Sequence, residues 1–211
     1  MAEAILLSTA YLPPIQYVAK FLQFKQVWLE SDENFPKQTY RNRAVILTAN
    51  GPEAIMIPVD RHGRDRVKIR DIEISYATPW QHVHWQAIAS AYGSTPFFEE
   101  LADEFRPFYE QKFKFLFDFN LQLLHTVFGI LEIAPKIHLT EQFEGVPAEC
   151  MNFRQAIHPK PHRALADPAF VCTPYTQAFY PRFPFIPNLS IIDLLFNCGS
   201  ESFEKIFSCK Q

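Results

Sequence analysis

Two histidines and two tryptophans fall within six positions of the stretch TPWQHVHWQAIASAY, residues 78–92. Imidazoles this close could chelate a metal ion, and either one could serve as a general base near neutral pH. The backbone decides between these uses. Side chains two residues apart share a face on a strand, whereas on a helix they point about 200° apart. Pro79 suits the first turn of a helix capped by Thr78, so a helix is expected, and His82 and His84 then cannot hold one ion. On that helix His84 shares a face with Trp80, Ala87, Ile88 and Ala91, while His82 lies on the exposed side. His84 is read as a half-buried histidine, either satisfied within the core or acting as a general base. A zinc site would draw on His62, His125 or His138, and neither a metal nor a cofactor is expected.

The second concentration of chemistry is FPKQTYRNR, which holds Lys37, Tyr40, Arg41, Asn42 and Arg43 just before the apolar run RAVILT. Guanidinium groups are planar forks of donors, and two of them fixed at the start of a strand could grip phosphate or carboxylate. On an extended backbone Arg41 and Arg43 share one face, so they could equally line a sheet edge with charge. A third group is TAYLPPIQY, where a first strand gives way to a first helix. Ligands of open α/β sheets bind outside such carboxyl ends, and Tyr11, Gln16, Tyr17 and Lys20 are the polar groups there. No GxGxxG, GxxxxGK[ST] or GxSxG pattern accompanies them. Glu99, Glu100, Asp103 and Glu104 read as a solvated helix face.

These residues need elements to hold them. Ala4–Thr9 and Val27–Leu29 read as short strands flanking a helix in which Ile15, Val18, Ala19 and Leu22 recur at helical spacing. Residues 43–48 and 53–59 flank Ala-Asn-Gly-Pro, a turn whose Asn-Gly supplies positive φ angles, and so form a β-hairpin. The charge-dense stretch DRHGRDRVKIR, residues 60–70, is either a solvated loop or an anion-binding one, bent at Gly63. About three helices fit residues 78–133, the last carrying Phe113, Leu116, Phe117, Leu124, Val127 and Leu131. Eight of the seventeen prolines then lie between Pro147 and Pro187 among many aromatics, which implies an irregular segment packed onto the surface. A short buried helix closes the pattern, capped at Asn188 or Ser190 and ended by Gly199. The expectation is one α/β (or α+β) domain spanning 1–211: a sheet-forming part to 76, helices over 78–133, an irregular segment over 134–187, and a helix and tail over 188–211.

The 211 residues are 48% hydrophobic and include 21 phenylalanines, ample material for a buried core. A formal net charge of −3 supplies no broad basic face, so nucleic acid is not an expected partner. Neither a signal peptide nor a run of about 18 apolar residues is visible, so no membrane span is expected and a cytoplasmic location is. Cys150, Cys172, Cys198 and Cys209 have spacings that fit neither metal pairs nor a dense disulfide framework, which leaves reduced thiols.

Taken together, YLPPIQY, KQTYRNR, the IPV that ends the hairpin, His84-Trp85 with the following AYGSTPFF, DFN at 118–120 and IPNLSIIDLLFNCG resemble the WbqC-like family of bacterial proteins over nearly the whole chain. The resemblance implies a role in building O-antigen or related surface polysaccharide, with a phosphate-bearing, nucleotide-sugar-like molecule as small anionic substrate. It also implies a site made of Lys37, Arg41, Asn42, Arg43, His84, Trp85, Asn188, Ser190 and Asp193, to which the residue reading adds Tyr11, Gln16 and Tyr40. The chain departs from the family pattern between its long helix and the last motif, where the proline-rich run stands. The first functional expectation is a transferase or related enzyme, with Arg41 and Arg43 on the phosphate, His84 as base and Asp193 orienting it. A non-catalytic binding or scaffold protein is the alternative, and a metal-dependent hydrolase the third. A homo-oligomer is left open.

Overall fold

The computed structural model describes residues 3–143 and 149–209. Its spine is a parallel sheet. The first strand, β1 (Ala4–Ser8), leads through Leu12-Pro13-Pro14 into α1 (Ile15–Gln23), and β2 (Gln26–Glu30) returns beside β1 in parallel, Ala4 opposite Gln26 and Ser8 opposite Glu30. A parallel return needs a crossover, and α1 supplies it. The hairpin follows as β3 (Arg43–Thr48) and β4 (Gly51–Met56), pairing Arg43 with Met56 and Thr48 with Gly51. Gly51 takes the positive φ of 108° that its turn requires. Rather than joining the main sheet, the hairpin stands as a separate two-stranded unit, as do β5 (Val59–Asp60) and β6 (Glu73–Ile74).

Four helices follow: α2 (Trp80–Tyr92), α3 (Phe98–Phe105), α4 (Pro107–Glu110) and α5 (Leu116–Ile130). The extra helix arises because the stretch expected to run unbroken from Phe108 extends its backbone at Gln111, and Leu116 donates its N–H to Ile72 before α5 begins. Thr78 is not a cap; Pro79 holds that position without any side-chain bond. Two short strands, β7 (Ile137–Leu139) and β8 (Met151–Asn152), complete the main sheet in the order β7-β2-β1-β8, all parallel. Both strands fall in the segment 134–187 that was expected to be irregular; residues 153–187 are largely so, while Pro147 lies outside the described residues. The C-terminal part holds two helices, α6 (Ile191–Cys198) and α7 (Ser202–Ser208), where one was expected.

Helix α1 has two working faces, which explains its apolar spacing. Tyr17 and Phe21 pack on Ile5, Leu7, Val27 and Leu29 of the sheet with Leu124 and Phe128 of α5. Ile15, Val18 and Ala19 face the larger core formed by the hairpin, α2, α5 and α6. Each fully buried Leu, Ile or Phe contributes roughly 1.5–3 kcal/mol, so these two clusters fix where α1 sits. Helix α6 is buried nearly all round, from Ile191 to Phe196. A helix of that kind needs tertiary support, having no solvated face.

Gly199 ends α6 at φ 50° and ψ −125°, and a Cβ there would lie 2.3 Å from the ring of Phe97. Both the backbone and the space exclude a side chain. Gly199→Ala is expected to lower stability by about 3 kcal/mol, a drop in Tm on the order of 10 °C, measured by thermal denaturation. A change below about 2 °C would show that Phe97 can move aside freely.

Candidate functional site

The carboxyl end of the parallel sheet, where open α/β proteins usually bind ligands, is closed by a buried ion pair. Arg41 is 4% exposed and grips both oxygens of Glu33, Nε to Oε1 at 2.6 Å and Nη2 to Oε2 at 2.7 Å. Its Nη2 also donates to the hydroxyl of Ser8, the last residue of β1, and to the Arg154 carbonyl at 3.2 Å. Beside it Glu30, the last residue of β2 and fully buried, accepts Arg154 Nη1 at 2.8 Å, the Thr140 hydroxyl at 2.7 Å and the Asp32 N–H at 2.8 Å. The space left among Ser8, Tyr17, Tyr40, Arg41 and Arg154 is about 20 Å³, room for roughly one water. No sugar-sized ligand fits there.

Arg41 and Arg43 therefore do not form a common fork. Regular strand geometry begins only at Arg43, and the preceding turn sends the two guanidiniums to different places. Arg43 opens into a cleft of about 650 Å³ at the base of the hairpin, together with Lys37, Gln38, Asn42, Met56 and Arg61. That volume lies within the range of small-molecule sites. The loop bearing Lys37 is pinned on both sides: Asn42 Nδ2 donates to the Ile57 carbonyl at 2.8 Å, and Asn120 of α5 donates to the Arg41 carbonyl at 2.7 Å. Gln38 and Gly63, at positive φ of 60° and 72°, turn the two loops toward each other. Arg61 lies 5.0 Å over the Phe35 ring and donates to the Phe35 carbonyl at 3.2 Å.

Two polar atoms of this cleft are unsatisfied. Arg43 makes no ion pair among the described residues; its Nε is buried without a partner, and its Nη2 meets only the Met56 sulfur at 3.8 Å. Asn42, 5% exposed, has a buried Oδ1 with no partner. Leaving a buried donor unpaired costs about 1–3 kcal/mol, more for a charged group. The carboxylate at the rim, Asp60, is occupied by the His62 N–H at 2.7 Å. Arg61 escaped the site reading from sequence because DRHGRDR fits a solvated loop equally well; its charge density was the available signal.

The other candidates lie elsewhere. His84 is 4% exposed; its Nδ1 is 3.0 Å from the Tyr11 hydroxyl, which is 2.9 Å from that of Tyr109. The ring also donates to the Met56 carbonyl, which leaves Nδ1 to accept the Tyr11 proton. Both nitrogens are thus occupied, and burial holds the imidazole neutral with its pKa lowered to about 4. Through Met56 it supports the cleft wall from behind without lining it. Asp193 does not orient His84, because its carboxylate accepts the Tyr175 hydroxyl at 2.5 Å and Gln177 Nε2 at 3.0 Å. Burial raises the Asp193 pKa. Trp85 stacks on Phe98 and carries the Arg106 guanidinium 5.6 Å from its ring centre. Tyr40 is half-buried, its hydroxyl pKa pushed up to about 12 by burial.

Gln16, Asn188 and Ser190 belong to a clasp between the first and last motifs, whereas Tyr11 donates its N–H to the Tyr40 carbonyl. Ile15 N–H donates to the Leu189 carbonyl at 3.1 Å, Ile191 N–H to Pro13 at 2.7 Å, Gln16 N–H to Asn188 Oδ1 at 2.8 Å and the Ser190 hydroxyl to Leu12 at 2.9 Å. The twelve sequence candidates thus divide: Lys37, Asn42 and Arg43 share one cleft, and the remaining nine are structural or lie elsewhere. His82 and His84 occupy opposite faces of α2, the first exposed and the second buried. Among the described residues no group of three or more His, Cys, Asp or Glu is arranged to hold a metal ion, and no helix is long and apolar enough to cross a membrane.

Comparison with known proteins gives one family and one relative. A family model described as "WbqC-like protein family" matches residues 9–158 and 168–205. "Uncharacterized protein Rv1507c" of Mycobacterium tuberculosis (strain ATCC 25618 / H37Rv) is 25% identical over 232 aligned positions that cover all of both chains. No solved structure shows significant similarity.

Two outcomes are expected from this geometry. Arg41→Ala strands the buried Glu33 carboxylate and should cost about 3–5 kcal/mol in denaturant unfolding, much of it recovered in the double variant Arg41→Met, Glu33→Leu. His84 protonates more readily unfolded, where its pKa is near 6.5, than folded. Its contribution is therefore complete above pH 6.5 and is lost as pH falls toward 4, by up to about 3 kcal/mol. In His84→Gln that part of the pH dependence should vanish; an unchanged slope would assign it to other groups.

Proposed function

Taking as premise that the chain belongs to the WbqC-like protein family, we propose that it binds a phosphate-bearing, nucleotide-sugar-like substrate in the cleft at the hairpin base and acts as a transferase or related enzyme of bacterial surface-polysaccharide biosynthesis. The observation that carries this reading is Arg43, a guanidinium with no carboxylate partner among the described residues, facing a 650 Å³ cleft that also presents Lys37 and Arg61. Arginine matches phosphate oxygens with two parallel donors, and Lys37 adds a mobile point charge. The unsatisfied Asn42 Oδ1 offers an acceptor for a hydroxyl or amine of the same molecule. In this reading His84 is a positioning residue, since its ring holds the Met56 segment of the cleft wall.

The second reading, a non-catalytic binding or scaffold protein of the same pathway, is favoured by how many family-matching polar groups are spent inside the molecule. Arg41 and Ser190 bond to other parts of the chain, and Asp193 gives one carboxylate oxygen to Tyr175 and Gln177.

Calorimetric titration with a panel of nucleotide sugars and with inorganic pyrophosphate tests the proposal. Binding is expected for at least one compound, weakened roughly 10- to 100-fold by Arg43→Ala, because a charge-assisted hydrogen bond contributes about 1.5–3 kcal/mol. Arg43→Ala should melt within about 2 °C of the parent, since it removes no internal partner. Turnover of the bound compound would separate enzyme from scaffold; silence across the panel, with Arg43→Ala badly destabilised, would sink both the site and its substrate.

A further inference from the structure

A second cleft, of about 620 Å³, lies between the irregular segment and the C-terminal helices. One wall carries Tyr175, Gln177, Phe183 and Phe185; the other carries Asn197 and Lys205. Just beyond the cleft, residues 171–173 run alongside 208–209. Val171 N–H donates to the Cys209 carbonyl at 3.0 Å, Thr173 N–H to the Cys209 sulfur at 3.2 Å, and the Ser208 hydroxyl to Thr173 Oγ1 at 3.0 Å.

Cys172 stands between the two residues so anchored, and its thiol donates a hydrogen bond to the Cys209 sulfur. Two donors, the Cys172 thiol and the Thr173 amide, converge on the Cys209 sulfur and hold its pKa below the ordinary thiol range, while the protonated thiol has the Lys205 carbonyl 3.2 Å away to donate to. Cys209 is 2% exposed, so the reagents that reach it are small, while Cys172 is half-buried. The reactive and resolving positions of a redox pair need this: a stabilised thiolate with a second thiol already in contact.

We propose that Cys172 and Cys209 form a hydroperoxide-sensitive thiol pair that closes to a disulfide and so ties the two walls of the aromatic cleft together. The Cys209 thiolate attacks one peroxide oxygen, an S–O bond forms, the O–O bond breaks, and the leaving oxygen takes a proton to become water or an alcohol. The Cys172 sulfur then attacks the Cys209 sulfur; the S–S bond forms, the S–O bond breaks, and the second oxygen leaves as water with the Cys172 proton. Two thiols lose two electrons and the peroxide gains them. The sulfurs need only approach to about 2 Å for this closure.

The test is treatment of the reduced full chain with hydrogen peroxide, followed by intact-mass measurement and non-reducing peptide mapping. A loss of about 2 Da, a peptide joining Cys172 to Cys209, and reversal by dithiothreitol are expected, with Tm raised by several degrees because a long loop is closed. In Cys172→Ala the resolving thiol is gone, so Cys209 should accumulate sulfenic acid that dimedone traps. Oxygen added at Cys150 or Cys198 with no link between 172 and 209 would overturn the proposal, and the wild-type peptide map distinguishes these outcomes even if the variant misfolds.

Discussion

One buried charge pair determines where this molecule can bind anything. Arg41 and Glu33, each about 95% buried, close the carboxyl end of the parallel sheet and tie Ser8 of β1 to the Arg154 backbone. Two charges taken out of water are tolerated only when each is fully satisfied by the other and by neighbouring groups, and here they are. Glu30 and Arg154 repeat the arrangement on the next strand. The position that open α/β folds commonly give to a ligand is thereby filled with the protein's own side chains. Chemistry must be sought where a basic group lacks such a partner, and Arg43 at the hairpin base is that group.

The clasp between residues 12–16 and 188–191 has a related effect over a greater span of sequence. It brings the first and last family motifs into direct backbone hydrogen bonding, with the Ser190 N–H also donating to the Val45 carbonyl of the hairpin. Leu12 and Asn188 adopt positive φ at this junction, a conformation the paired backbones hold in place. The motifs that mark the family are therefore partly motifs of assembly. YLPPIQY and IPNLSIID hold each other in place, while KQTYRNR and the IPV that follows the hairpin line an open cleft.

Much of the architecture was legible. The strand, helix and strand at the start, the Asn-Gly hairpin, the α2 face carrying Trp80, His84 and Ile88, and the Gly199 stop are local patterns with local physical causes, and all are present. The site was less legible. Residue type and clustering named Lys37, Asn42 and Arg43, which share one cleft, but the same criteria admitted Arg41, His84 and Asp193, which are equally polar and equally close to apolar runs and lie outside it. Whether a buried polar side chain is spent on a neighbour or left for a ligand depends on a partner far away in sequence, as Asp193 depends on Tyr175 and Gln177.

By itself the sequence determined the family, through motifs spread over nearly the whole chain, and it determined the α/β class, the opposite faces of His82 and His84, and the basic cluster before the hairpin, because these three follow from spacing or composition within a few tens of residues. Only the tertiary structure decided that Arg41 is an internal strut and Arg43 an open donor, two positions apart. It also decided that Arg61 joins Arg43, that His84 has no free nitrogen, and that Cys172 meets Cys209. In every case the deciding quantity is the identity of a partner brought near by folding, and hydrogen bonds and ion pairs act over about 3 Å regardless of how far apart their atoms lie along the chain.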